Sequence, residues 1–462
     1  MMDTRNMSDA RVSIKSAMNG HTVEAQPLPN LDTSQLQGRP RGPVQDEGGR
    51  SSSAPSAAVS RLLPVEGLRA YLALWVLGSH ALWVAGYRPD ALVGLPKLIG
   101  LGGYAVDLFI IISGFVIMLS LDNQRETYLQ FVVRRFFRLF PVFIVLFVVA
   151  IPLSQASLWN VTHASQYLTP DQIEYDANMV KSWWANIQWN IPLHLLMLHG
   201  SVPDVLVNGA PSAFLVPAWS VSLEWQFYLV APLAYACAVS VKPYRRIGLC
   251  ALCVLLVLAA RYVFPTVDHG AALPFQVKFF FLGAASYFLY QRLAAHQRSD
   301  TAFPVAFCLA LFLFGLSGRV WSLVPVGLWM AFLGLLLEPP ASFSSRWLVT
   351  PLLTNPVVRY LGRISYSLYL SHLLVIIVIQ YALLTWAPNL SQMAHFGILL
   401  AGATAVTIAV STVLYCYIEA PGIYAGRSLA RWLTARRAVG LQNVMFFLRR
   451  TSDETLGEGP RR

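Results

Sequence analysis

Residues 103–121 read GYAVDLFIIISGFVIMLSL, a run in which Asp107 is the one charged side chain. An α-helix rises about 1.5 Å per residue, so about 20 such residues cross the roughly 30 Å hydrocarbon core of a bilayer. Lipid offers no hydrogen-bond partner to the edge of an open sheet, so an apolar segment of this length is expected to be helical. The stretch therefore predicts a membrane-spanning helix that carries a carboxylate.

The rest of the chain follows the same pattern. Of its 462 residues, 56% are hydrophobic and only 12% are charged, whereas ordinary soluble domains carry roughly 25% charged residues. The mean hydropathy of the whole chain is +0.53. This composition excludes a large soluble enzyme, a disordered protein and a disulfide scaffold. We predict an all-α polytopic membrane protein with about ten transmembrane helices, at residues 68–87, 103–121, 139–157, 213–239, 247–264, 274–291, 302–317, 320–338, 364–386 and 395–418.

Basic residues are concentrated in alternate loops between the predicted spans. The second loop holds Arg134, Arg135 and Arg138, whereas the stretch 387–394 holds no basic residue. By the positive-inside rule, this distribution places both termini in the cytoplasm. The net charge of +11 is then a signal of membrane topology rather than of nucleic-acid binding.

Three parts of the chain follow from this topology. Residues 1–60 are polar, lack apolar periodicity and are expected to form a disordered cytoplasmic tail. Residues 61–425 form the membrane domain, in which 158–212 is an extracytoplasmic loop. A full crossing by the short apolar run 191–199 would invert every later basic loop, so this run is at most a re-entrant piece. Residues 426–462 form a basic cytoplasmic tail.

Four ionisable side chains lie inside the predicted spans: His80, Asp107, Glu224 and His372. Burying such a group in lipid is costly, so each is a candidate functional residue. A histidine beside a carboxylate can act as a general base on a hydroxyl group, with the carboxylate orienting the ring. Arg69 precedes His80 by eleven residues, about 16 Å along a helix. The residues alone are equally consistent with His80 as a hydrogen-bonded core histidine and with Glu224 as a brace between helices.

A cluster of three arginines, Arg134, Arg135 and Arg138, precedes the third predicted span. It can be an ordinary positive-inside anchor, or it can be a clamp for phosphate groups, because the planar guanidinium suits bidentate phosphate contacts. Cys250 and Cys253 have the spacing of a metal-ligand pair, but no second Cys or His cluster follows them, so no metal site is predicted.

Six short motifs occur in order along the chain. They are VEGLR at 65–69 with His80 after ten further residues, VDLFIIISGF at 106–115, RFFRLFP at 135–141, WSVSLEWQFY at 219–228, LGRISYSLYLSH at 361–372 and EAP at 419–421. Together, from about Leu63 to Pro421, they resemble the acyltransferase-3 family of integral membrane acyltransferases. Glu66 stands where that family has an aspartate, which keeps the charge. Trp225 stands where a second glutamate is often found, so a role that needs a carboxylate pair is not expected here.

The resemblance implies an enzyme that moves an acyl group, most often acetyl, from a cytoplasmic acyl-CoA such as acetyl-CoA to a hydroxyl of a carbohydrate or lipid-linked glycan. The residues implied for these roles are His80, Asp107 and Glu224 in catalysis, Arg69, Arg135 and Arg138 at the donor, and Ser113, Trp219, Tyr228 and His372 at the acceptor. It also implies a multi-pass protein of the bacterial inner (plasma) membrane that uses neither a metal nor nucleic acid. A separate periplasmic partner is compatible with it.

A second class of function stays open at this point. A proton-coupled transporter or flippase of a glycan-type substrate would also bury His, Asp and Glu side chains in the membrane. Internal pseudo-symmetry and paired broken helices would favour a transporter, and neither is evident in the sequence. The identity of the acceptor, the length of the acyl chain, and the choice between direct transfer and an acyl-enzyme are not specified by the residues.

Overall fold

The computed structural model describes residues 63–88, 91–124, 126–263, 271–294, 323–337 and 342–435. Within these ranges the chain is helical and contains no β-strand, and all of them belong to one compact unit. The predicted all-α fold class is therefore confirmed. The predicted tail 1–60, the predicted span 302–317 and residues 436–462 of the predicted C-terminal tail lie outside the described residues.

The described helices are numbered here in chain order. They are α1 (Leu63–Val84), α2 (Gly94–Gly100), α3 (Gly102–Asn123), α4 (Tyr128–His163), α5 (Pro170–Ala185), α6 (Ile187–Leu195), α7 (Trp219–Ala238), α8 (Pro243–Leu258), α9 (Leu273–Ala294), α10 (Leu323–Leu337), α11 (Pro356–Arg363), α12 (Ser365–Trp386) and α13 (Gln392–Leu414). Short 3-10 turns at His199–Ser201, Ala210–Ser212 and Val216–Ala218 connect α6 to α7. A π-helical segment, Ser345–Leu353, precedes α11, and another, Tyr415–Glu419, continues α13 in a helix that runs to Ala435.

Five of the described helices are long and apolar enough to cross a membrane: α3, α4, α12, α8 with the π-helical segment Ala259–Val263 that follows it, and α13 with its continuation. Helices α1, α7, α9 and α10 overlap the predicted spans 68–87, 213–239, 274–291 and 320–338. The chain is a multi-pass membrane protein. The number of about ten crossings and the cytoplasmic position of the termini stay predictions.

Helix α4 begins well before the span predicted at 139–157. It has 36 residues, which makes it about 54 Å long. Its start is set by a capping box, in which Thr127 accepts a hydrogen bond from the Gln130 backbone and the Gln130 side chain accepts one from the Thr127 backbone at 2.7 Å. Arg135 and Arg138 consequently lie inside a rigid helix rather than in a loop that leads to it.

The predicted loop 158–212 is built largely of helices. The last turn of α4, together with α5 and α6, occupies much of it, and the remainder forms turns. Helix α5 has its own capping box at Thr169, with a proline at its first position, where the missing N–H group costs nothing. The region packs as a cap against α4 and the start of α7.

Glycines allow two helices of the core to approach each other backbone to backbone. A Cβ atom added to Gly114 on α3 would meet the carbonyl oxygen of Phe280 on α9, and one added to Gly283 on α9 would meet that of Ile111 on α3. Small residues at such crossings replace side-chain layers with direct van der Waals contact between helices. The α3–α9 crossing holds Ser113, the neighbour of Gly114, in a fixed place.

A second close approach holds the start of α1. A Cβ atom on Gly67 would meet the carbonyl oxygen of Leu353, and one on Gly362 of α11 would meet that of Glu66. The π-helical segment and α11 therefore both press directly on the first turns of α1. This packing brings Arg69 next to Ser365 at the start of α12, where its Nε donates a hydrogen bond of 3.3 Å to the serine hydroxyl.

Candidate active site

Two histidines that sequence analysis treated separately form a pair between α1 and α12. Nδ1 of His80 lies 3.0 Å from Nε2 of His372 and 3.0 Å from the carbonyl oxygen of Val76, one turn earlier on α1. Nδ1 of His372 lies 2.5 Å from the carbonyl oxygen of Tyr369. The two rings are tilted by 39° with centroids 5.0 Å apart.

The two members of this pair differ in their access to solvent. His372 is fully buried, whereas His80 is only partly buried. Nε2 of His80 makes no hydrogen bond to the part of the chain that the structure describes. The histidine pair therefore presents one uncommitted ring nitrogen, and that nitrogen belongs to His80.

A cavity lies between α1, α3, α7 and α12, beside the histidine pair. Its polar lining consists of Arg69, Ser113, Ser220, Glu224, Ser365, Tyr366 and Tyr369. Oε1 of Glu224 accepts hydrogen bonds from Ser113, at 2.6 Å, and from the phenol of Tyr228. Glu224 thus presents its carboxylate to the cavity while two hydroxyl groups hold one of its oxygens.

Tyr369 connects the cavity to the histidine pair. Its side chain lines the cavity, and its hydroxyl accepts a hydrogen bond of 2.9 Å from Ser220 and donates one of 3.2 Å to the carbonyl of Pro217. Its ring lies 5.9 Å from the ring of His372, between centroids, and its own carbonyl oxygen faces Nδ1 of that histidine. His80 itself does not line the cavity, so Tyr369 is the link between the two groups.

Three arginines interact electrostatically at the end of α4 that carries the RFFR motif. Arg135 donates a hydrogen bond of 2.8 Å to Ser120 and faces the rings of Phe131, at 5.3 Å, and Tyr228, at 5.5 Å. Arg138 interacts electrostatically with Arg69 and Arg135, yet among the described residues it makes neither a hydrogen bond nor an ion pair within 4.0 Å. The guanidinium group of Arg138 is therefore not committed to a hydrogen bond with any described residue.

The third arginine of the motif region, Arg134, is different from its neighbours. It forms an ion pair of 3.1 Å with Glu126 and also contacts Gln124. Its charge is therefore balanced locally by Glu126. Arg134 serves as a natural comparison for Arg135 and Arg138.

One buried carboxylate of this region was not among the residues predicted from the sequence. Glu419 is 1% exposed and accepts a hydrogen bond of 2.7 Å from Ser367. It interacts electrostatically with Arg138 and Arg69. The predicted last span ended at residue 418, one position before Glu419, so this carboxylate did not count among the ionisable residues inside spans. Its place in the EAP motif was the available signal.

The remaining residues predicted from the sequence lie near the cavity. Tyr228 is 2% exposed and holds Glu224, and Trp219 is the partly buried first residue of α7, beside the cavity residue Ser220. Asp107 is partly buried on α3, between cavity residues 106 and 109. The hydrogen bonds described for His80 go to Val76 and His372, so an orienting role for Asp107 stays a prediction.

The side chains that could bind a metal ion do not cluster in the part of the chain that the structure describes. Among the described residues, no group of three or more His, Cys, Asp or Glu side chains could hold a metal ion. The polar groups of the cavity are hydroxyls, one carboxylate and one guanidinium, a set suited to hydrogen bonding with an organic substrate.

Comparison with known proteins agrees with the motifs. The acyltransferase domain that defines the acyltransferase-3 family matches residues 64–416. Acyltransferase MdmB of Streptomyces mycarofaciens is 29% identical over 204 residues, which cover 42% of this chain and 44% of MdmB. BcsY of Komagataeibacter xylinus, provisionally named a membrane-bound transacylase, is 26% identical over 406 residues, or 85% of this chain and 93% of BcsY. No solved structure matches the chain.

Proposed function

Because the chain belongs to the acyltransferase-3 family and is a membrane acyltransferase, we propose that it transfers an acyl group, most simply acetyl, from a cytoplasmic acyl-CoA to a hydroxyl of a carbohydrate or lipid-linked glycan. One observation carries this proposal. An arginine cluster adjoins a cavity, and His80 lies farther along the helix that carries Arg69. Neither Arg138 nor Nε2 of His80 makes a hydrogen bond to the described residues.

The arginine cluster suits the phosphates of CoA. Arg69, Arg135 and Arg138 carry three positive charges, and the carboxylates within their electrostatic reach are Glu224 and Glu419. With all five groups ionised, the cluster has one positive charge in excess, which favours an anionic ligand. Guanidinium groups bind phosphate oxygens through paired, charge-assisted hydrogen bonds.

The spacing along α1 suits the same donor. Arg69 and His80 are eleven residues apart, about 16 Å along the helix axis. An extended pantetheine arm bridges a distance of this order between the phosphates of CoA and its thioester. Phosphates bound at the arginine cluster would therefore bring the thioester carbonyl toward His80.

In the proposed reaction, Nε2 of His80 takes the proton of the acceptor hydroxyl as the hydroxyl oxygen attacks the thioester carbonyl. A carbon–oxygen bond forms, the carbon–sulfur bond breaks, and the leaving thiolate receives the proton from the imidazolium. The products are an ester and free CoA, and His80 returns to its neutral form. General-base assistance of this kind accelerates such reactions by roughly 10²–10⁴-fold.

The acceptor is proposed to occupy the cavity side of the site. Both described hydrogen bonds of Glu224 go to Oε1, so Oε2 can accept a hydrogen bond from a sugar hydroxyl. Ser113 and Tyr228 would keep that carboxylate in place, and Trp219 would pack on a sugar ring. Asp107 is proposed to support the charge of His80 from α3.

Binding of radiolabelled acetyl-CoA to the purified protein tests the donor proposal. Replacing both Arg135 and Arg138 by alanine removes charge-assisted hydrogen bonds, so we expect binding to weaken roughly 10- to 100-fold for each arginine. Arg134→Ala is the matched control, since Arg134 is already paired with Glu126, and it should change binding by less than about threefold.

Two results would contradict the proposal. Equal weakening by Arg134→Ala would mean that the arginines attract the donor only through their total charge. No binding of acetyl-CoA, together with transport of a glycan-type solute into vesicles, would replace the enzyme by a transporter. The acceptor class is tested by proton NMR of glycans from cells with and without the protein, which should differ in an O-acyl signal.

The location proposed for the enzyme is the bacterial inner membrane, with the arginine cluster at the cytoplasmic face. The concentration of basic residues at 134–138 supports this orientation. A separate periplasmic partner would act on the product at the opposite face. Labelling of single cysteines introduced at 126 and at 391 with a membrane-impermeant reagent distinguishes the two faces.

A further inference from the structure

We propose that His372 is a positioning residue that fixes the tautomer of His80 and shares its positive charge during the reaction, rather than a residue that binds the acceptor. This inference rests on the proposed function, because it assumes that His80 acts as the base. It goes beyond that function by assigning a partner to the base that belongs to neither carboxylate of the predicted site.

The tautomers follow from what each partner can do. A carbonyl oxygen only accepts hydrogen bonds, so the 2.5 Å contact between Tyr369 O and Nδ1 of His372 places the proton of His372 on Nδ1. In the neutral ring Nε2 is then an acceptor. The 3.0 Å contact with Nδ1 of His80 is satisfied only when that Nδ1 carries a proton and donates it.

A second acceptor requires the same arrangement. The carbonyl oxygen of Val76 also lies 3.0 Å from Nδ1 of His80 and can only accept. That carbonyl is already the acceptor of a helical hydrogen bond within α1, so His372 offers the stronger free lone pair. Both partners leave the proton on Nδ1 and the basic lone pair on Nε2, the nitrogen that takes a proton in the proposed reaction.

The burial of His372 favours positioning over acceptor binding. Its side chain is fully buried, and its neighbour Ser371 contacts Ser411 on α13 at 3.3 Å. A side chain enclosed in this way, with both ring nitrogens engaged, has no donor or acceptor left for a sugar hydroxyl. The same enclosure keeps its ring from turning, so the direction of the His80 ring is fixed through it.

The chemistry of the pair suits a membrane interior. A carboxylate partner carries its charge at every stage, and an isolated charge buried in an apolar medium is expensive. The lone pair of neutral His372 bears no net charge before the reaction, yet it strengthens its hydrogen bond when His80 becomes an imidazolium. The stabilisation therefore arises where positive charge develops, as in other preorganised sites.

Kinetics of two substitutions at His372 test this role. We expect His372→Ala to lower kcat about 10- to 100-fold, as the loss of a ligand-orienting partner does elsewhere, and to leave the KM for acetyl-CoA within about threefold. His372→Gln places an amide oxygen near the position of Nε2 and should recover most of kcat. The assay follows label from acetyl-CoA into a glycan and lipid extract of cells that lack this protein.

The controls separate the inference from the function on which it rests. His194→Phe replaces a buried histidine that does not line the cavity and should keep full activity. If His80→Ala is inactive while His372→Ala has normal kcat, the positioning role of His372 is wrong, but the assignment of His80 as the general base still holds. If His80→Ala is fully active, the proposed function fails first. If His372→Gln is as inactive as His372→Ala, the acceptor atom is not what matters, and the inference is overturned.

A spectroscopic measurement of the His80 tautomer tests the inference even if His372→Ala does not fold. Nitrogen-15 NMR of histidine-labelled protein in nanodiscs distinguishes a protonated from an unprotonated ring nitrogen, and His80→Ala identifies the His80 signals by their loss. We expect Nδ1 of His80 to be protonated and Nε2 unprotonated, in the unmutated protein and in His372→Gln. A proton on Nε2 of neutral His80 would overturn the inference whatever the kinetics of His372→Ala.

Discussion

The protein contains a second pair of buried histidines, and comparison with the His80–His372 pair shows what makes one pair suited to catalysis. His194 on α6 and His199 in the turn beyond it are stacked, with ring centroids 3.9 Å apart and an angle of 5° between their planes. Each has one nitrogen near a backbone carbonyl, that of Asn190 at 2.7 Å and that of Ala218 at 3.0 Å.

The difference lies in the second nitrogen of each ring. Nε2 of His194 and Nδ1 of His199 are buried and make no hydrogen bond to any described residue, and the rings of Phe143 and Phe147 stack against the pair. In the other pair, one ring donates to the next and the last free nitrogen remains accessible. The two pairs share residue type, whereas His80 is only partly buried and His194 and His199 are fully buried. The hydrogen bond between the two rings and the accessible nitrogen of His80 therefore distinguish the His80–His372 pair.

The largest expected effect comes from removing His80, the histidine with the accessible ring nitrogen. His80→Ala deletes the proposed base, and turnover should fall by roughly 10²–10⁴-fold, the usual contribution of a general base. His199→Phe keeps an aromatic ring in the stacked pair. It should leave turnover within about twofold of normal, since the His194–His199 pair has no solvent-accessible ring nitrogen. Incorporation of label from acetyl-CoA at equal amounts of folded protein measures both variants.

Two outcomes would remove the contrast between the pairs. Turnover that survives in His80→Ala at normal expression would mean that another group takes the proton. Turnover that disappears in His199→Phe while the protein remains folded would mean that the His194–His199 pair also takes part in the reaction.

The stacked pair should make the protein sensitive to acid. Burial lowers the pKa of His199 to about 4 in the folded protein, whereas an unfolded histidine titrates near 6.5. As the pH falls, the unfolded chain binds this proton first. The folded state is therefore at full stability above about pH 6.5 and loses up to about 3 kcal/mol between there and about pH 4. The pKa of His194 is lowered well below its usual value by burial and by His199, so it adds in the same direction.

Thermal unfolding of the detergent-solubilised protein across this pH range measures the effect. His199→Phe has no titrating ring at this position and should show a smaller fall in Tm toward low pH. An identical pH dependence in the variant and the unmutated protein would show that other groups cause the acid sensitivity.

The smallest expected effect comes from a polar contact next to the His80–His372 pair. Ser411→Ala removes the 3.3 Å contact with Ser371, the residue before His372. We expect a loss of about 1 kcal/mol in the free energy of unfolding and turnover within about twofold of normal. A loss of turnover as large as that of His372→Ala would mean that packing of this layer, rather than the histidine contact, governs the activity.

Much of the fold could be read from hydropathy because lipid allows few alternatives. A long apolar segment in a bilayer must satisfy its backbone internally, so length and composition are enough to predict a helix. The prediction was less accurate at element ends. Helix α4 starts at Tyr128 rather than near 139 because the Thr127–Gln130 capping box begins it in a polar stretch, and the region 158–212 contains helices that short apolar runs did not indicate.

The candidate site was readable in part for a related reason. The cost of burying an ionisable side chain selected His80, Asp107, Glu224 and His372. Glu224 lines the cavity, Asp107 lies between two residues that line it, and the histidine pair lies beside it. Glu419 escaped because the predicted span stopped one residue short of it. His194 and His199 were not selected, since they lie outside the predicted spans, although both are fully buried.

The sequence by itself determined that this protein is helical, lies in a membrane, and carries the motifs of an acyltransferase, because composition and local spacing act within a single helix. Only the tertiary structure decided that His372 faces His80, that Tyr369 joins the histidine pair to the cavity, and that Arg134 forms an ion pair whereas Arg138 makes none within 4.0 Å to the described residues. His80 and His372 are separated by 292 residues. Their contact depends on how α12 packs on α1, and no local pattern records a packing between helices so far apart in the chain.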